Sequence, residues 1–314
     1  MPAKDTSLFN WQQMTNHVAL GACLENLRVS AEGLGFRTEI LLFPDAKDPL
    51  VVAEVLCVPD STVSNELAAY IGQRACNRKP YFAQAIESQN LAELARSAED
   101  ADIHSIFITD KNDVKDIARL VSVGERLALE NREIHDFLFS HITWTKEEDA
   151  EKHGFLVDTF ELSPPQKAAF KLFSNWNILK YFLPLGISKL IAKDMERIHT
   201  TSAAFGAIVM DTENSEGYLR AGMALERLWL TATKLRLALQ PTTTVHFIGT
   251  RIRAGNTESL SPTHQKLLIE GYNSLAKKFA LTASEKFAFV FRIGYANAPS
   301  GMTTRFEPEV FFDE

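Results

Sequence analysis

The sequence predicts an α+β fold in which helices pack on sheets and one half of the chain repeats the other. One observation is a long helix at residues 214–239, where apolar side chains recur at steps of three and four. Another is a similar helix at residues 16–34, related to the first by a shift of 201 positions without a gap. Strand-like sequence and then a strongly apolar strand follow both helices. We therefore expect an internal duplication, a pseudo-dimer within one chain, whose two helices pack on each other.

The two helices share six residues at equivalent positions, and these residues indicate how the helices meet. Gly222, Leu225, Glu226, Leu228, Ala232 and Leu235 correspond to Gly21, Leu24, Glu25, Leu27, Ala31 and Leu34. Because glycine has no Cβ, Gly21 and Gly222 should allow the two backbones to approach closely. Glu25 and Glu226 are expected to be buried partners of arginines rather than catalytic acids.

The other elements follow from hydrophobic periodicity and from turn residues. Strands are expected at residues 38–43, 50–58, 104–109, 203–210, 243–250 and 287–295. Helices are expected at residues 65–76, 87–99, 112–138 and 262–280, and in several pieces over 166–198. Residues 141–165 are dense in charge and are expected to form a surface excursion. In domain terms, we expect a truncated first half at residues 1–70 and a second half at 71–314, with an insert at about 141–200.

Composition argues against several classes of protein. The chain has 314 residues and is 46% hydrophobic, which is enough for a large core. A net charge of −7 argues against a nucleic-acid partner. The three cysteines lie far apart, without a disulfide framework or a zinc spacing, which indicates a reducing, cytoplasmic compartment. Because the most hydrophobic window, residues 178–192, is short and interrupted, we expect no membrane partner.

The stretch most informative about function is RACNRKPY, residues 74–81. If the preceding helix continues, Arg74 and Arg78 project from one face, and two guanidinium groups there can clamp a phosphate. Spacing alone favours a solvated basic face instead. Cys76 lies between the arginines, which would lower the pKa of its thiol, but no histidine lies near it in sequence to act as a base. A nucleophilic Cys76 is therefore a minor alternative, and the histidine spacing favours no metal site.

The order of these and other segments resembles the FMN-dependent nitroreductase family. The resemblance is closest to the Acg-type subgroup, in which one chain holds two nitroreductase-like halves. Arg74, Cys76 and Arg78 fall on the family's Arg-x-Ser/Thr-x-Arg/Lys phrase. The stretch GMALERLWLTATKLRLALQP resembles the helix at the core of the family's dimer, and GFLVDTFELSPPQKAAF resembles the middle segment of the subgroup. FRIGYA, with Pro299 and Arg305 after it, resembles the family's closing segment.

The resemblance covers nearly the whole chain, from about residue 16 to residue 306. It implies a nitroreductase-like fold that binds FMN, with NAD(P)H as co-substrate. The residues that it assigns to the flavin phosphate and ribityl chain are Arg74, Cys76, Arg78 and Arg305, with Asn77 and Lys79 behind them. It implies no catalytic side chain, because the flavin itself carries the hydride chemistry.

Two departures from the family's pattern bear on activity. The Ser/Thr position is Cys76, and a thiol is a poorer hydrogen-bond partner for a phosphate or ribityl oxygen. The family's Pro-Ser-x-x-Asn-x-Gln-Pro-Trp segment is missing, so the first half is expected to be truncated. Related chains can carry an adenylating domain ahead of the nitroreductase part, and a truncated first half is consistent with a remnant of such a fusion.

Three functions stay open from the sequence. The first is an FMN-dependent NAD(P)H oxidoreductase, and the second is a non-catalytic FMN storage or sequestering protein with residues 178–192 as its lid. The third is an interaction module without flavin. Besides the flavin, the sequence leaves open a homodimer or an adenylating-domain partner.

Overall fold

The computed structural model describes residues 7–48, 50–152 and 154–305. This part of the chain forms a mixed α+β fold, as the sequence predicts. The helices are α1 (Met14–Gly33), α2 (Ser88–Ser97), α3 (Lys111–Val121), α4 (Val123–Glu130), α5 (Arg132–Ser140), α6 (Lys146–Lys152), α7 (Pro164–Phe173), α8 (Trp176–Phe182), α9 (Ile187–His199), α10 (Ser215–Lys234), α11 (Thr244–Arg253) and α12 (Pro262–Lys278). Residues 1–6 and 306–314 of the two expected halves lie outside the described residues.

The strands form one larger and two smaller sheets within the described residues. They are β1 (Phe36–Leu42), β2 (Ala53–Pro59), β3 (Ile103–Ile108), β4 (Ile142–Thr143), β5 (Phe155–Leu156), β6 (Ala204–Met210), β7 (Ala238–Pro241) and β8 (Lys286–Gly294). The four-stranded sheet has the order β3–β6–β8–β7 with all neighbours antiparallel. β1 pairs with β2 in an antiparallel hairpin, and β4 pairs with β5 in parallel.

The four-stranded sheet has a hydrophobic core on each face. Every residue of β6 is buried, and side chains alternate between the two faces. Ala204 and Ile208 pack in one core with α1, α2 and α10. Phe205 and Val209 pack in the other with α3, α4, α11 and α12. The sheet is therefore the middle layer of three, and its inner strand β6 is apolar throughout because both of its faces are covered.

The predicted packing of the two similar helices is confirmed: α1 and α10 lie against each other. A Cβ added to Gly21 would come within 1.9 Å of the Leu219 carbonyl oxygen, and one added to Gly222 within 2.1 Å of the Val18 carbonyl oxygen. Each glycine thus faces the residue three positions before the other glycine, a reciprocal contact. The strands at 50–58 and 287–295, expected in analogous places, differ: β2 belongs to the hairpin, whereas β8 is central in the main sheet.

Residues 65–76 do not form the predicted α-helix. A 3-10 helix spans Glu66–Tyr70, and the Asn65 side chain caps it by accepting from the Leu67 N–H. The chain then extends along β7, where the Asn77 N–H donates to the Leu239 carbonyl at 3.0 Å. This pairing with the sheet gives the backbone a partner other than its own helical turn, so the helix prediction was wrong here.

Residues 112–138 form three helices, α3, α4 and α5, where one was predicted. The second break has a clear cause at Asn131. Its backbone is extended and its side chain accepts from the Ile134 N–H at 3.0 Å, so it starts a new helix. The first break lies at Ser122, whose hydroxyl donates to the Ala118 carbonyl at 2.8 Å. Short polar side chains compete with the helical backbone in this way, which the apolar periodicity does not register.

The long helix ends at Lys234, and the strand expected at 243–250 is wrong. Arg236 takes a left-handed conformation with φ of 58°, after which the chain enters β7. Residues 243–250 lie mostly in α11, which is buried on nearly every side from Val245 to Thr250. An apolar run of this length fits a buried helix and a buried strand equally well, so periodicity alone could not separate them.

The segment expected as a surface excursion, 141–165, contains α6 and the β4–β5 pair. It is partly buried, since the Thr143 hydroxyl donates to the Asp149 carboxylate at 2.8 Å inside the protein. The expected lid, residues 178–192, spans most of α8 and the start of α9, and Leu179 packs there with Leu129 of α4. In the described part of the chain, no helix is long and apolar enough to cross a membrane.

Candidate functional site

The segment from Arg74 to Lys79 lies along the β7 edge of the main sheet. Cys76 makes an isolated parallel bridge with Leu239, and the hydrogen bond from the Asn77 N–H to Leu239 fixes the register. Because the segment is extended here, its side chains do not project in the pattern of the α-helix that the sequence predicts. Arg74 and Arg78 therefore do not share a helical face, and each has partners of its own.

Arg74 is held by α10. Its Nε lies 2.7 Å from Oε1 of the buried Glu226, and its guanidinium carbon lies 4.7 Å from the centroid of the Trp229 ring. Burial raises the pKa of Glu226, although Arg74 lowers it. The expected pairing of this acid with an arginine is confirmed.

Glu25, the equivalent acid on α1, is also paired with arginine. The Arg227 Nε lies 2.9 Å from its carboxylate, and Arg28 forms a second ion pair with it. Glu25 is fully buried, so the two arginines satisfy a charge that could not stay there alone. The expectation that both twin acids are buried ion-pair partners is therefore confirmed.

Arg78 and Lys79 face the turn that follows β5. The Arg78 Nη1 donates to the Thr159 carbonyl at 3.1 Å, and its guanidinium carbon lies 4.8 Å from the Phe160 ring centroid. The Lys79 Nζ lies 3.7 Å from a Glu161 carboxylate oxygen, longer than a hydrogen bond. These two cations thus contact residues 159–161 rather than α10.

Arg305 and Asn77 connect this segment to the end of the described chain. Arg305 donates to the Ile71 carbonyl at 2.9 Å and to the Arg74 carbonyl at 3.1 Å. Asn77 is buried, and its amide donates to the Asn297 carbonyl at 2.9 Å. The structure therefore brings the six residues that the sequence singled out into one region. Within this region, Asn77 links the basic segment to the backbone at Leu239 through its N–H and to the backbone at Asn297 through its side chain.

The Cys76 thiol is not activated by its neighbours. Burial raises its pKa, and the arginines around it, Arg78 first, only partly oppose that effect. The thiol therefore stays protonated near neutral pH, and the thiolate is the nucleophilic form. The lowered pKa on which the minor alternative of a nucleophilic Cys76 depended is therefore not found.

Arg292 of β8 is a residue of this region that the sequence argument missed. Its side chain is fully buried, and Nη2 donates to the Lys79 carbonyl at 2.8 Å while Nε donates to the Gln240 amide oxygen at 2.6 Å. The guanidinium carbon lies 4.0 Å from the Tyr81 ring centroid. Arg292 therefore holds the backbone of the basic segment from inside the core. The signal in the sequence was one arginine within the apolar strand FAFVFRIG.

Two further ionisable groups lie near Arg292. Burial raises the pKa of Glu125 to about 7, and its Oε2 atom is buried with no hydrogen-bond partner among the described residues. Burial, and then Arg292, lower the pKa of His199 to about 3. His199 is therefore neutral at ordinary pH, with Nδ1 lying 3.1 Å from the Ser122 hydroxyl. Both pKa shifts result from burial in the packed structure, which the periodicity of the sequence does not predict.

The partners of these cations decide whether a phosphate would fit here. Arg74 uses one nitrogen on Glu226, and Arg78 uses Nη1 on Thr159, whereas a guanidinium has five N–H groups. Both arginines and Lys79 are only partly buried. The set therefore has donors for a phosphate, and Arg74, Arg78, Lys79 and Arg305 would hold it. Among the described residues, no group of acids, histidines and cysteines could hold a metal ion.

No family model matches the chain, and no curated protein sequence matches it. Among solved structures, it is similar to a nitroreductase with bound FMN from Bacteroides fragilis, at 10% identity and a TM-score of 0.43, over 80% of this chain and 100% of that one. It is also similar to an FMN-dependent nitroreductase from Clostridium difficile, at 14% identity and a TM-score of 0.41, over 79% and 99%. It is similar as well to a nitroreductase-like family protein from Bacillus cereus, at 15% identity and a TM-score of 0.39, over 79% of this chain and 96% of that one.

Proposed function

We propose that this protein is an FMN-binding, nitroreductase-like flavoprotein. The observation that carries the proposal is that four cations of an acidic chain come from one six-residue segment beside β7 and from a distant residue that bonds the backbone next to that segment. They are Arg74, Arg78, Lys79 and Arg305, and the last of them bonds the backbone of the first. Oxyanions such as a flavin phosphate are bound well by clustered guanidinium and ammonium groups that are partly removed from water.

The chain's own residues would act by binding and by orientation. Arg78 and Lys79 would bind the phosphate, and the Arg292 hydrogen bond to the Lys79 carbonyl would keep their backbone in place. FMN, when bound, supplies hydride chemistry, with NAD(P)H as the co-substrate. No side chain of the protein has to act as an acid or base in such chemistry.

We further propose that the chain is an internally duplicated, two-half protein of the cytoplasm, with a shortened first half at 1–70 and a second half at 71–314 that carries an insert at about 141–200. The reciprocal contacts of Gly21 and Gly222 support this, because equivalent residues of a duplicated helix would meet as they do across a two-fold axis. The different positions of β2 and β8 restrict the visible repeat to the helices. A homodimer or an adenylating domain is the partner that such a history would leave.

A titration tests the flavin proposal. The purified protein, stripped of any bound flavin, is titrated with FMN and separately with riboflavin, which lacks the phosphate. We expect FMN to bind at least about tenfold more tightly, because a charge-assisted hydrogen bond contributes about 1.5–3 kcal/mol. Equal affinity for the two flavins would remove the phosphate clamp, and no binding of either would remove the flavoprotein.

A second candidate, an interaction module without flavin, is favoured by one observation. Arg74 and Arg305 already have partners inside the chain, Glu226 and the Ile71 carbonyl. The cation cluster would then stabilise the packing of the basic segment on α10. Failure of both flavins to bind, with a normal melting transition, would select this candidate over the FMN oxidoreductase and the FMN carrier.

A further inference from the structure

The surface formed by α7, α8 and the start of α9 carries large apolar side chains that point to solvent. Leu185 is 79% exposed, Tyr181 72% and Leu190 64%. Leu172 and Phe182 belong to the same stretch and are 47% and 37% exposed. Five such side chains within nineteen residues of sequence are more than scattered surface leucines would explain, and exposed apolar clusters mark sites of contact. We call this the α8–α9 surface.

The exposed side chains are not a consequence of loose packing. The inner sides of the same helices form a small core, in which Phe173 and Leu179 pack with Leu129 of α4. The helices are thus held firmly from behind, and a second set of apolar residues remains on the outer side. The turn between α8 and α9 contains Pro184 and Gly186, and a Cβ at Gly186 would have no neighbour within 4 Å. This turn is the most open part of the surface.

The charge of the surface differs in sign from that of the protein. Residues 162–193 contain five lysines and no Asp, Glu or Arg, although the whole chain has a net charge of −7. The lysines that are exposed beside the apolar residues are Lys171, Lys180, Lys189 and Lys193. On α9, Lys189 and Lys193 are four residues apart and project from one face, and Leu190, three residues before Lys193, lies beside them.

This composition favours one kind of partner over another. Interfaces between proteins are depleted in lysine, whereas amphipathic helices that lie on membranes combine lysines with leucine and aromatic side chains. Lysine suits a bilayer because its methylene stem can lie along the apolar layer while the ammonium reaches the headgroups. Tyrosine is enriched at the same depth, and Tyr181 lies beside Lys180, whose Nζ is 5.2 Å from its ring centroid.

We propose that the α8–α9 surface attaches the protein to the surface of a bilayer that contains anionic phospholipids. The apolar side chains of the α8–α9 turn enter the boundary between headgroups and acyl chains, and the lysines bind lipid phosphate and carboxylate groups. This changes the sequence-based expectation of no membrane partner, which rested on the length of a spanning segment. The inference does not depend on the proposed flavin site.

Vesicle co-sedimentation of the full chain tests the attachment. We expect binding to vesicles of phosphatidylcholine mixed with phosphatidylserine at least about tenfold stronger than to phosphatidylcholine alone. The binding should be lost at about 1 M NaCl, where the Debye length is about 3 Å. Equal binding to both kinds of vesicle, or binding that ignores salt, would overturn the proposal.

Matched variants identify the surface that binds. The triple substitution Lys180→Gln, Lys189→Gln and Lys193→Gln should weaken binding about a hundredfold, since each lysine near an anionic surface contributes about fivefold. Leu185→Ser should weaken it about tenfold by removing an apolar side chain from the interface. The controls are Leu34→Ser, where the leucine is 76% exposed on another surface, and Lys266→Gln on α12.

We expect both controls to bind as the unchanged protein does and all variants to keep its melting temperature. A control that loses as much binding as its counterpart would overturn the assignment to the α8–α9 surface. Analytical ultracentrifugation tests the alternative that a second copy of the chain, instead of a bilayer, binds the α8–α9 surface. A dimer that Leu185→Ser dissociates, in a protein that binds no vesicles, would overturn the membrane proposal.

Discussion

Arg74 and Arg78 lie four residues apart, yet their removal would have different consequences. Arg74 is the cation of the buried Glu226, so its loss leaves a buried carboxylate without the cation that pairs with it and destabilises the fold. Arg78 donates to the neutral Thr159 carbonyl and lies over the Phe160 ring, so its loss leaves no charge unpaired. Arg78 is therefore the cleaner residue with which to examine phosphate binding.

The substitution Arg78→Ala should weaken FMN binding about ten- to a hundredfold and should scarcely change the melting temperature of the flavin-free protein. The reason is the loss of a charge-assisted hydrogen bond that contributes about 1.5–3 kcal/mol. Isothermal titration gives the affinity, and Arg132→Ala, at a largely exposed arginine of α5, is the control. If melting falls equally with and without FMN, Arg78 is a structural residue.

Glu125 should make stability depend on pH. Burial raises its pKa to about 7, so the folded protein holds a proton there that the unfolded chain releases near pH 4.5. A raised pKa means that the folded state loses stability as pH rises from the unfolded value towards the folded one. We expect the unfolding free energy to fall by about 2 kcal/mol between about pH 5 and pH 7, relative to Glu125→Gln.

Urea denaturation of the two proteins at several pH values measures this difference. His199 contributes an opposite slope, because its lowered pKa favours the folded state as pH rises above about 3. That contribution is common to both proteins and cancels in the comparison. Parallel pH profiles for the unchanged protein and for Glu125→Gln would show that Glu125 ionises as an ordinary carboxyl.

Residues differ in how far the sequence could predict their roles. The burial of Glu25 and Glu226 with arginines was predictable, because an acid on the apolar face of a helix needs a cation. Arg292 was not, since its partners Gln240 and the Lys79 carbonyl lie 52 and 213 residues away in sequence. Such contacts depend on the register of the sheet, which no local pattern encodes.

Among the elements, α1 and α10 depend most on the absence of side chains where they cross. A methyl group at Gly222 would meet the Val18 carbonyl oxygen at 2.1 Å, far inside any normal contact distance. The helices would have to move apart along their shared apolar surface. Because protein cores are tightly packed, that movement would also disturb the sheet beneath α10.

The substitution Gly222→Ala should therefore lower the unfolding free energy by about 1–3 kcal/mol, in spite of the better helix propensity of alanine. Gly72→Ala is the control, because a Cβ there would have no neighbour within 4 Å. Thermal and urea unfolding of both variants give the comparison. A Gly222→Ala protein as stable as the control would mean that the helices do not cross at this residue.

The sequence predicted the elements best where one apolar face repeats over many residues. It predicted them worst where side-chain caps or pairing with a distant strand determine where an element ends. The two long helices follow from their apolar periodicity, and β6 follows from a short continuous apolar run. The breaks at Ser122 and Asn131 follow from side-chain hydrogen bonds, which interrupt a helix without changing its apolar pattern. The segment at 65–76 makes a hydrogen-bonded turn after Tyr70 and then bridges to β7 at Cys76, and that pairing is a tertiary contact.

For the whole molecule, the proposed site predicts that a bound flavin is reduced slowly. A buried, protonated Cys76 thiol lies between Arg74 and Arg78 in the proposed site, and a thiol is a weak hydrogen-bond donor. The neighbouring arginines are also partly engaged by the protein, through Glu226 and Thr159. A misplacement of the ring by about 1 Å can reduce a rate about a hundredfold.

We therefore expect slow or no reduction of FMN-loaded protein by NADH or NADPH. Anaerobic mixing, followed by bleaching of the flavin absorbance, measures the rate. A flavin that stays oxidised for minutes would support the storage function. Reduction within seconds, followed by turnover with a quinone or a nitroaromatic compound, would instead make the protein an oxidoreductase.

The interlocked pair of α1 and α10 also sets an order of events at the ribosome. Val18 can pack against Gly222 only after Gly222 has been synthesised, about 200 residues later, so α1 cannot join the core before then. At about 5–20 residues per second, α1 would stay without its partner for about 10–40 seconds. During this time Met14, Val18 and Val29 would be exposed to solvent or to a chaperone. The nascent chain should therefore be most prone to aggregation and proteolysis just before α10 emerges.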